Sequence, residues 1–290
     1  MEEKVSEKYR MKTVDELEFT DDFMFGTMMQ DEEVCKGVLE RLLKIKISKI
    51  VYPQLQESVS PFYDSKSVRF DVYLDDGKTV YDIEMQNKKL DSIERRVRYY
   101  QSMIDIDQLT RGTDYSELKE SYVIFICKTD PFEFNCPSYE VNCKINGTTF
   151  KTDKESRTKV EICEDYIDGT HKLFFNAKAF ENETDSNLKA FLQYLSNTNA
   201  TDEFTKTLEE KIIMTKQIDK FRKDYFSWSL AERDAHKEGR AEGRAEGELA
   251  KALESAKKLI NLNVLSLEQI SQVTGLSLKE VEELEKEIQR

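Results

Sequence analysis

The chain has 290 residues, 39% of them hydrophobic, with 44 Lys and Arg against 57 Asp and Glu and a formal net charge of −13. That length buries one substantial core plus a smaller appendage, and that charge repels a polyanion unless basic residues gather locally. Met1-Glu2-Glu3-Lys4 lacks the apolar region of a signal peptide, and no stretch is apolar for long enough to span a bilayer, so a cytoplasmic protein without membrane contact is expected. Five cysteines without Cys-x-x-Cys spacing favour neither a disulfide framework nor a zinc site, and two histidines make histidine-centred hydrolysis improbable.

In chain order, the first signal is Asp21-Asp22-Phe23-Met24-Phe25, an apolar helix start at which Asp22 reads as an ordinary N-cap. The next is a hairpin. Residues 68–74 and 79–86 alternate apolar and polar, and Asp76-Gly77 between them is a dipeptide that favours a two-residue turn. A turn centred there sets Leu74 opposite Thr79, Val72 opposite Tyr81, Asp71 opposite Asp82, Phe70 opposite Ile83 and Arg69 opposite Glu84. Val68, Phe70, Val72, Leu74, Tyr81, Ile83 and Met85 then form one face, and Arg69, Asp71, Asp82, Glu84 and Gln86 the other. Like charges directly opposite destabilise a ladder by up to about 1 kcal/mol, so Asp71 and Asp82 call for a cation. Glu84, diagonal to Asp71 at roughly 7–8 Å, is close enough to lean onto the same ion. Mg²⁺ suits such a face, because it takes one or two carboxylates, keeps waters and binds phosphate oxygens. The competing reading is a solvated strand face on which Arg69 pairs with Glu84.

A helix over 90–109 gathers Arg95, Arg96, Arg98, Tyr99 and Tyr100, a mixture that suits phosphate contact and base stacking, although amphipathic packing explains the tyrosines equally well. The apolar run 121–127 reads as a central strand covered on both faces. A second hairpin is expected at 139–144 and 148–152 around Asn146-Gly147, then a strand at 171–176 and a helix from Ser186 with Leu188, Phe191, Leu192 and Leu195 on one face. After Thr201 a long helical stretch ends near Trp228.

The segment from Glu238 to Gly247 repeats every four residues with glycine at 239, 243 and 247, each costing about 1 kcal/mol in a helix. It reads as a flexible spacer, with helix pairing in a dimer as the alternative. Beyond it, Ser266-Leu267-Glu268-Gln269 and Ser277-Leu278-Lys279-Glu280 are capping boxes around Thr274-Gly275, a helix-turn-helix-like pair. The glutamates of its second helix would be repelled in a major groove, which favours a protein or dimer contact. The expected organisation is a main domain with its C-terminal helices over 12–228, a Gly-interrupted helical linker with a four-residue repeat over 229–258 and a small helical tail over 259–290.

Asp71 followed by Glu84-Met85-Gln86 on the next strand resembles the Asp, then Glu-x-Lys, core of the PD-(D/E)XK nucleases. With Asp21 to Phe25, Tyr81 to Gln86, Arg95 to Tyr100 and Gly112 to Leu118 in this order, the chain is similar to the Rpn family of recombination-promoting nucleases, a PD-(D/E)XK nuclease family transposase group. The resemblance implies an α/β restriction-endonuclease-like core, a mixed sheet flanked by helices, with an all-helical C-terminal tail. It implies metal-dependent DNA endonuclease activity that promotes recombination or is linked to mobile DNA, with Mg²⁺ or Mn²⁺ held by Asp71 and Glu84. Gln86 stands where many such enzymes have Lys; a neutral amide orients water but supplies no charge, which leaves activity in question. Lys88 would share the face if the strand ran two residues further. The resemblance also adds Asp22 as an acidic residue brought to the site, Asp82 beside it, and Arg95 or Arg98 as DNA-backbone contacts. A homodimer fits the need to cut two strands. The rival reading is a catalytically inactive nuclease fold serving as a protein-interaction scaffold.

Overall fold

The computed structural model describes residues 10–47, 54–55, 58–59, 68–109, 112–152 and 157–288, with backbone alone at 54–55, 58–59, 68–69, 151–152 and 157–158. Two compact units divide at residue 222, one over 12–222 and one containing 223–290.

The first unit is built on a mixed sheet. Its strands are β1 (Gln54–Leu55), β4 (Val72–Asp75), β5 (Thr79–Gln86), β6 (Glu120–Cys127), β10 (Thr170–Asn176) and β7 (Ser138–Glu140), in that spatial order. The strands β5, β6 and β10 run parallel, while β4 and β7 close the flanks antiparallel. The short strands β2 (Ser58–Val59) and β3 (Val68–Arg69) pair with each other outside it. Parallel strands need a crossover, and between β5 and β6 it is the helix α3 (Ile93–Gln108).

Both faces of the central strands are buried, which is why residues 121–127 read as a continuous apolar run. On one face α3 packs Ile93, Val97, Tyr100, Met103 and Ile104 against Tyr73, Val80, Val123, Phe125 and Phe174. The opposite face carries a ladder of rings, Tyr81 on Tyr122 at 5.3 Å and Tyr122 on His171 at 4.2 Å. Leu42 of the helix α2 (Glu32–Leu43) and Leu188 of α4 (Ser186–Asn197) line an open cleft there with Tyr122, His171, Leu173 and Phe175. The helix α1 (Asp22–Met29) joins this side through Phe25, whose ring meets Phe19 edge-on, and Phe19 in turn meets Phe191.

The first hairpin forms, but two residues out of the expected register. Val72 pairs with Ile83, Tyr73 with Asp82, Leu74 with Tyr81 and Asp75 with Val80. Its turn is centred on Gly77-Lys78 rather than Asp76-Gly77: Gly77 takes φ +91°, and the Asp76 carboxylate accepts the Lys78 and Thr79 amides at 2.9 and 2.7 Å. Because side chains alternate, a two-residue slip changes partners without exchanging faces. Phe70 is the exception. The backbone bends at Asp71, and Phe70 joins Tyr73 and Tyr100 in the core beneath α3 rather than Val72 on the other face.

The second expected hairpin is not built around Asn146-Gly147. Neither residue adopts the positive φ of such a turn, and both lie inside β8 (Cys143–Thr152), which pairs along its whole length with β9 (Arg157–Tyr166). This ribbon is exposed almost throughout, and Ser138–Glu140 pairs instead with β10.

The helical stretch after Thr201 breaks at Gln217-Ile218 into α5 (Glu203–Lys216) and α6 (Asp219–Leu262). α6 does not stop near Trp228, and the glycine repeat is helical rather than a flexible spacer. Among the described residues, nothing stands within 4 Å of where a side chain at Gly239, Gly243 or Gly247 would begin. In the second unit, α7 (Leu267–Thr274) and α8 (Leu278–Ile288) form the expected pair, with both capping boxes made and Gly275 left-handed between them. They bury Ile270, Leu276, Val281 and Leu284 against Ala256 of α6. Among the described residues, no helix is long and apolar enough to cross a membrane.

Candidate active site

The corrected register improves the site. One step beyond Val72 and Ile83, Asp71 falls beside Glu84 rather than opposite Asp82. The two acids interlock: the Asp71 amide donates to Glu84 Oε1 at 2.9 Å, and the Met85 amide donates to Asp71 Oδ2 at 3.1 Å. The bend at Asp71 makes this possible, because it takes Asp71 out of the ladder and turns its own amide toward the Glu84 carboxylate.

These carboxyls lie under α3, in contrast to a solvated face. Glu84 is 1% exposed and Asp82 fully buried. Neither oxygen of Asp82 accepts a hydrogen bond among the described residues; as a neutral acid it would donate one to Glu84. Burial first, then the charges of Glu84 and Asp71, push the Asp82 carboxyl well above the usual carboxylate range. Burial, then Asp71, also pushes Glu84 up, to about 8, against the Asp71 amide, Arg96 and Tyr100, which pull it down. Three neighbouring carboxyls in a dry setting cannot all ionise, so the cluster retains a proton at neutral pH.

Among the described residues, the cation that meets this cluster is Arg96. Its Nη2 stands 3.5 Å from Glu84 Oε2, while Nε and Nη2 donate to the Tyr100 hydroxyl at 3.2 and 2.7 Å. Sequence reasoning grouped Arg96 and Tyr100 with their neighbours and preferred Arg95 and Arg98, which are exposed. The signal was the spacing: buried Ile93, Val97, Tyr100 and Ile104 mark the inner face of α3, and Arg96 lies one turn before Tyr100.

The other candidates scatter. Gln86 ends β5, half-buried, two residues beyond Glu84 on the same face, with its carbonyl accepting the Lys128 amide at 2.9 Å. Lys88 does not extend that face, because β5 stops at Gln86 and Lys88 sits exposed in the following bend. Asp22 is the first residue of α1, and the N-cap position belongs to Asp21. The start of α1 does lie near the end of β5, since Asn87 Nδ2 donates to the Thr20 carbonyl at 2.5 Å. Arg69 pairs through its backbone with Ser58, and its side chain lies outside the described residues.

The donor set fits a hard divalent ion held by two carboxylates and water. Adjacent Asp71 and Glu84 supply the two, and Asp82, buried behind them, is a carboxyl that burial and its neighbours hold toward the neutral form. Among the described residues, no group of three or more His, Cys, Asp and Glu side chains stands ready to enclose an ion. An all-protein cage is therefore not what this arrangement offers.

No curated protein and no solved structure matches the chain. A family's sequence profile does: the one described as PD-(D/E)XK nuclease family transposase matches residues 19–242, which takes in the sheet, α3 with its Arg96, and the interlocked acids. The chain belongs to the PD-(D/E)XK nuclease family transposases.

Proposed function

We propose that this protein is a Mg²⁺- or Mn²⁺-dependent DNA endonuclease, acting in recombination or on mobile DNA, with Asp71 and Glu84 as the metal-holding residues. The observation that carries the reading is the interlock of these two acids, one of them almost fully buried, at the end of a central parallel pair in a chain of this nuclease family. A divalent ion held there would make a nucleophile of water at neutral pH and offset charge on the scissile phosphate. The chain's own residues would do the rest. Asp71 and Glu84 are fixed by backbone amides, so they lose little freedom on taking up an ion. Gln86, two residues along the same face, orients the attacking water through its amide. Hydrolysis then adds water across one P–O bond and leaves a phosphate monoester and a free hydroxyl.

DNA is the partner in this reading, and a homodimer would bring two such sites to a duplex. Residues 12–228 would carry catalysis in the cytoplasm, 229–258 would set the reach, and 259–290 would contact protein.

The test is nicking or linearisation of supercoiled plasmid with Mg²⁺, Mn²⁺ or EDTA, beside Asp71→Asn and Glu84→Gln. Metal-dependent cutting lost in both variants is expected. No cutting by folded protein in any metal would instead support the inactive scaffold, the reading that the neutral Gln86 favours.

A further inference from the structure

The site has a neutral amide where a cation is expected on the strand, and a guanidinium arriving from the helix above. We infer that Arg96, held on the Tyr100 hydroxyl, is the phosphate-binding cation of this site and takes over the charge role that Gln86 cannot fill; the inference rests on the nuclease reading above.

The geometry separates holding from acting. The Tyr100 hydroxyl accepts from Nε and Nη2 at 3.2 and 2.7 Å, and the guanidinium carbon lies 5.1 Å from that ring's centroid. Tyr100 is itself fixed in the core against Phe70 and Phe125. The contact to Glu84 is looser, at 3.5 Å. Arg96 is thus seated by Tyr100 and only attracted by Glu84, so charge neutralisation of Glu84 by another cation leaves the guanidinium in place. Its two Nη1 hydrogens have no partner among the described residues, and 38% of the side chain is exposed. A guanidinium with a fixed seat, an open edge and buried carboxyls behind it can present parallel N–H donors to a phosphate. Arg95 and Arg98 are exposed on the same helix, and among the described residues neither has such a seat.

The experiment measures binding and cutting separately on the full-length protein. Binding of a duplex oligonucleotide is titrated against salt with Ca²⁺ in place of Mg²⁺, and cutting is timed at saturating DNA with Mg²⁺. Each is run for native protein, Arg96→Gln, Arg96→Lys, and Arg95→Ala with Arg98→Ala. Arg96→Gln keeps size and donors while removing charge, and circular dichroism checks that it is folded. It is expected to flatten the slope of log K against log salt by about 0.9, the loss of one phosphate contact, and to slow cutting by about 10²- to 10³-fold. Arg96→Lys should restore the slope but not the rate, because an ammonium lacks the fork. Unchanged slope and rate in Arg96→Gln, or losses confined to the Arg95/Arg98 variant, would overturn the inference while leaving the nuclease reading intact. If native protein binds DNA but never cuts, and the slope still falls in Arg96→Gln, the hydrolysis reading fails and the phosphate role of Arg96 stands. Native protein that binds no DNA overturns both.

Discussion

The central strands β5 and β6 and the ribbon β8–β9 are made of strands of similar length with complete ladders, yet they occupy opposite environments. Ile83, Ile124 and Phe125 are fully buried, whereas Ile145 is 53% exposed and Phe150 49%. Backbone pairing is common to both regions, so pairing alone does not decide which carries chemistry. The difference is the helix laid over one and missing from the other among the described residues. Under α3 a carboxyl is desolvated, its pKa moves and its partners matter; on the ribbon, Glu161 and Glu164 are exposed, and Glu161 meets Lys159 at 2.7 Å in water.

The largest expected contrast is in packing. Phe125→Ala should cost about 3–5 kcal/mol in chemical denaturation, against about 0.5 kcal/mol or less for Ile145→Ala; equal costs would mean the ribbon is covered in solution. Next is the buried acid Asp82. Asp82→Leu replaces a desolvated carboxyl, whose hydrogen bond to Glu84 exists only in its protonated form, with apolar bulk and should stabilise the metal-free protein by about 1–3 kcal/mol, while no comparable gain exists among the solvated ribbon acids. A destabilised Asp82→Leu would show that the hydrogen bond to Glu84 outweighs the cost of burying the carboxyl.

The pH dependence sharpens the same point. Glu84 has a raised folded pKa, so its contribution to stability is complete below the unfolded value of 4.5 and is lost as pH rises through about 8. Carboxylates with lowered values, such as Asp31, Asp130 and Asp202, give their full contribution above the unfolded value of 3.8 and so change nothing across that interval. The unfolding free energy of metal-free protein, read from chemical denaturation, should therefore fall between pH 5 and pH 8, by at most about 1.4 kcal/mol per pH unit for one proton, and Glu84→Gln should flatten the decline. Metal affinity should rise over the same interval, because the ion displaces that proton. The smallest effect is Gly147→Ala. Its new methyl would meet Ile162 Cβ at 3.8 Å, an ordinary contact, so a gain of about 0.4–1 kcal/mol is expected from the stiffer unfolded chain.

The acids, the central strand run, the helix over them and the capped tail were legible because each rests on local periodicity or a local cap. What the sequence left hidden was set by competition between near-equal local choices. Asp76-Gly77 and Gly77-Lys78 are both good turn centres, and the Asp76 side chain, by accepting two amides, decides for the second. Asn146-Gly147 is a strong turn signal overridden by two ten-residue strands that pair through it. The glycine repeat was weighed by propensity, yet it lies within a helix of 44 residues that runs on through it. Arg96 was visible but not distinguishable from Arg95 and Arg98 until the rotation of α3 was known.

The crossover helix has a kinetic consequence. α3 supplies both the apolar cover of β5 and, in Arg96, the charge that meets Glu84 twelve residues earlier. The acids of β5 are therefore dehydrated and compensated in one event, when the crossover docks and the parallel pairing with β6 closes. Such non-local pairing is slow to form, and in the stages before it is complete Asp82 and Glu84 gain by staying in water. The buried carboxyls thus resist the last step of assembly, and refolding should quicken as they are protonated, with the crossover helix acting as the gate to the native sheet.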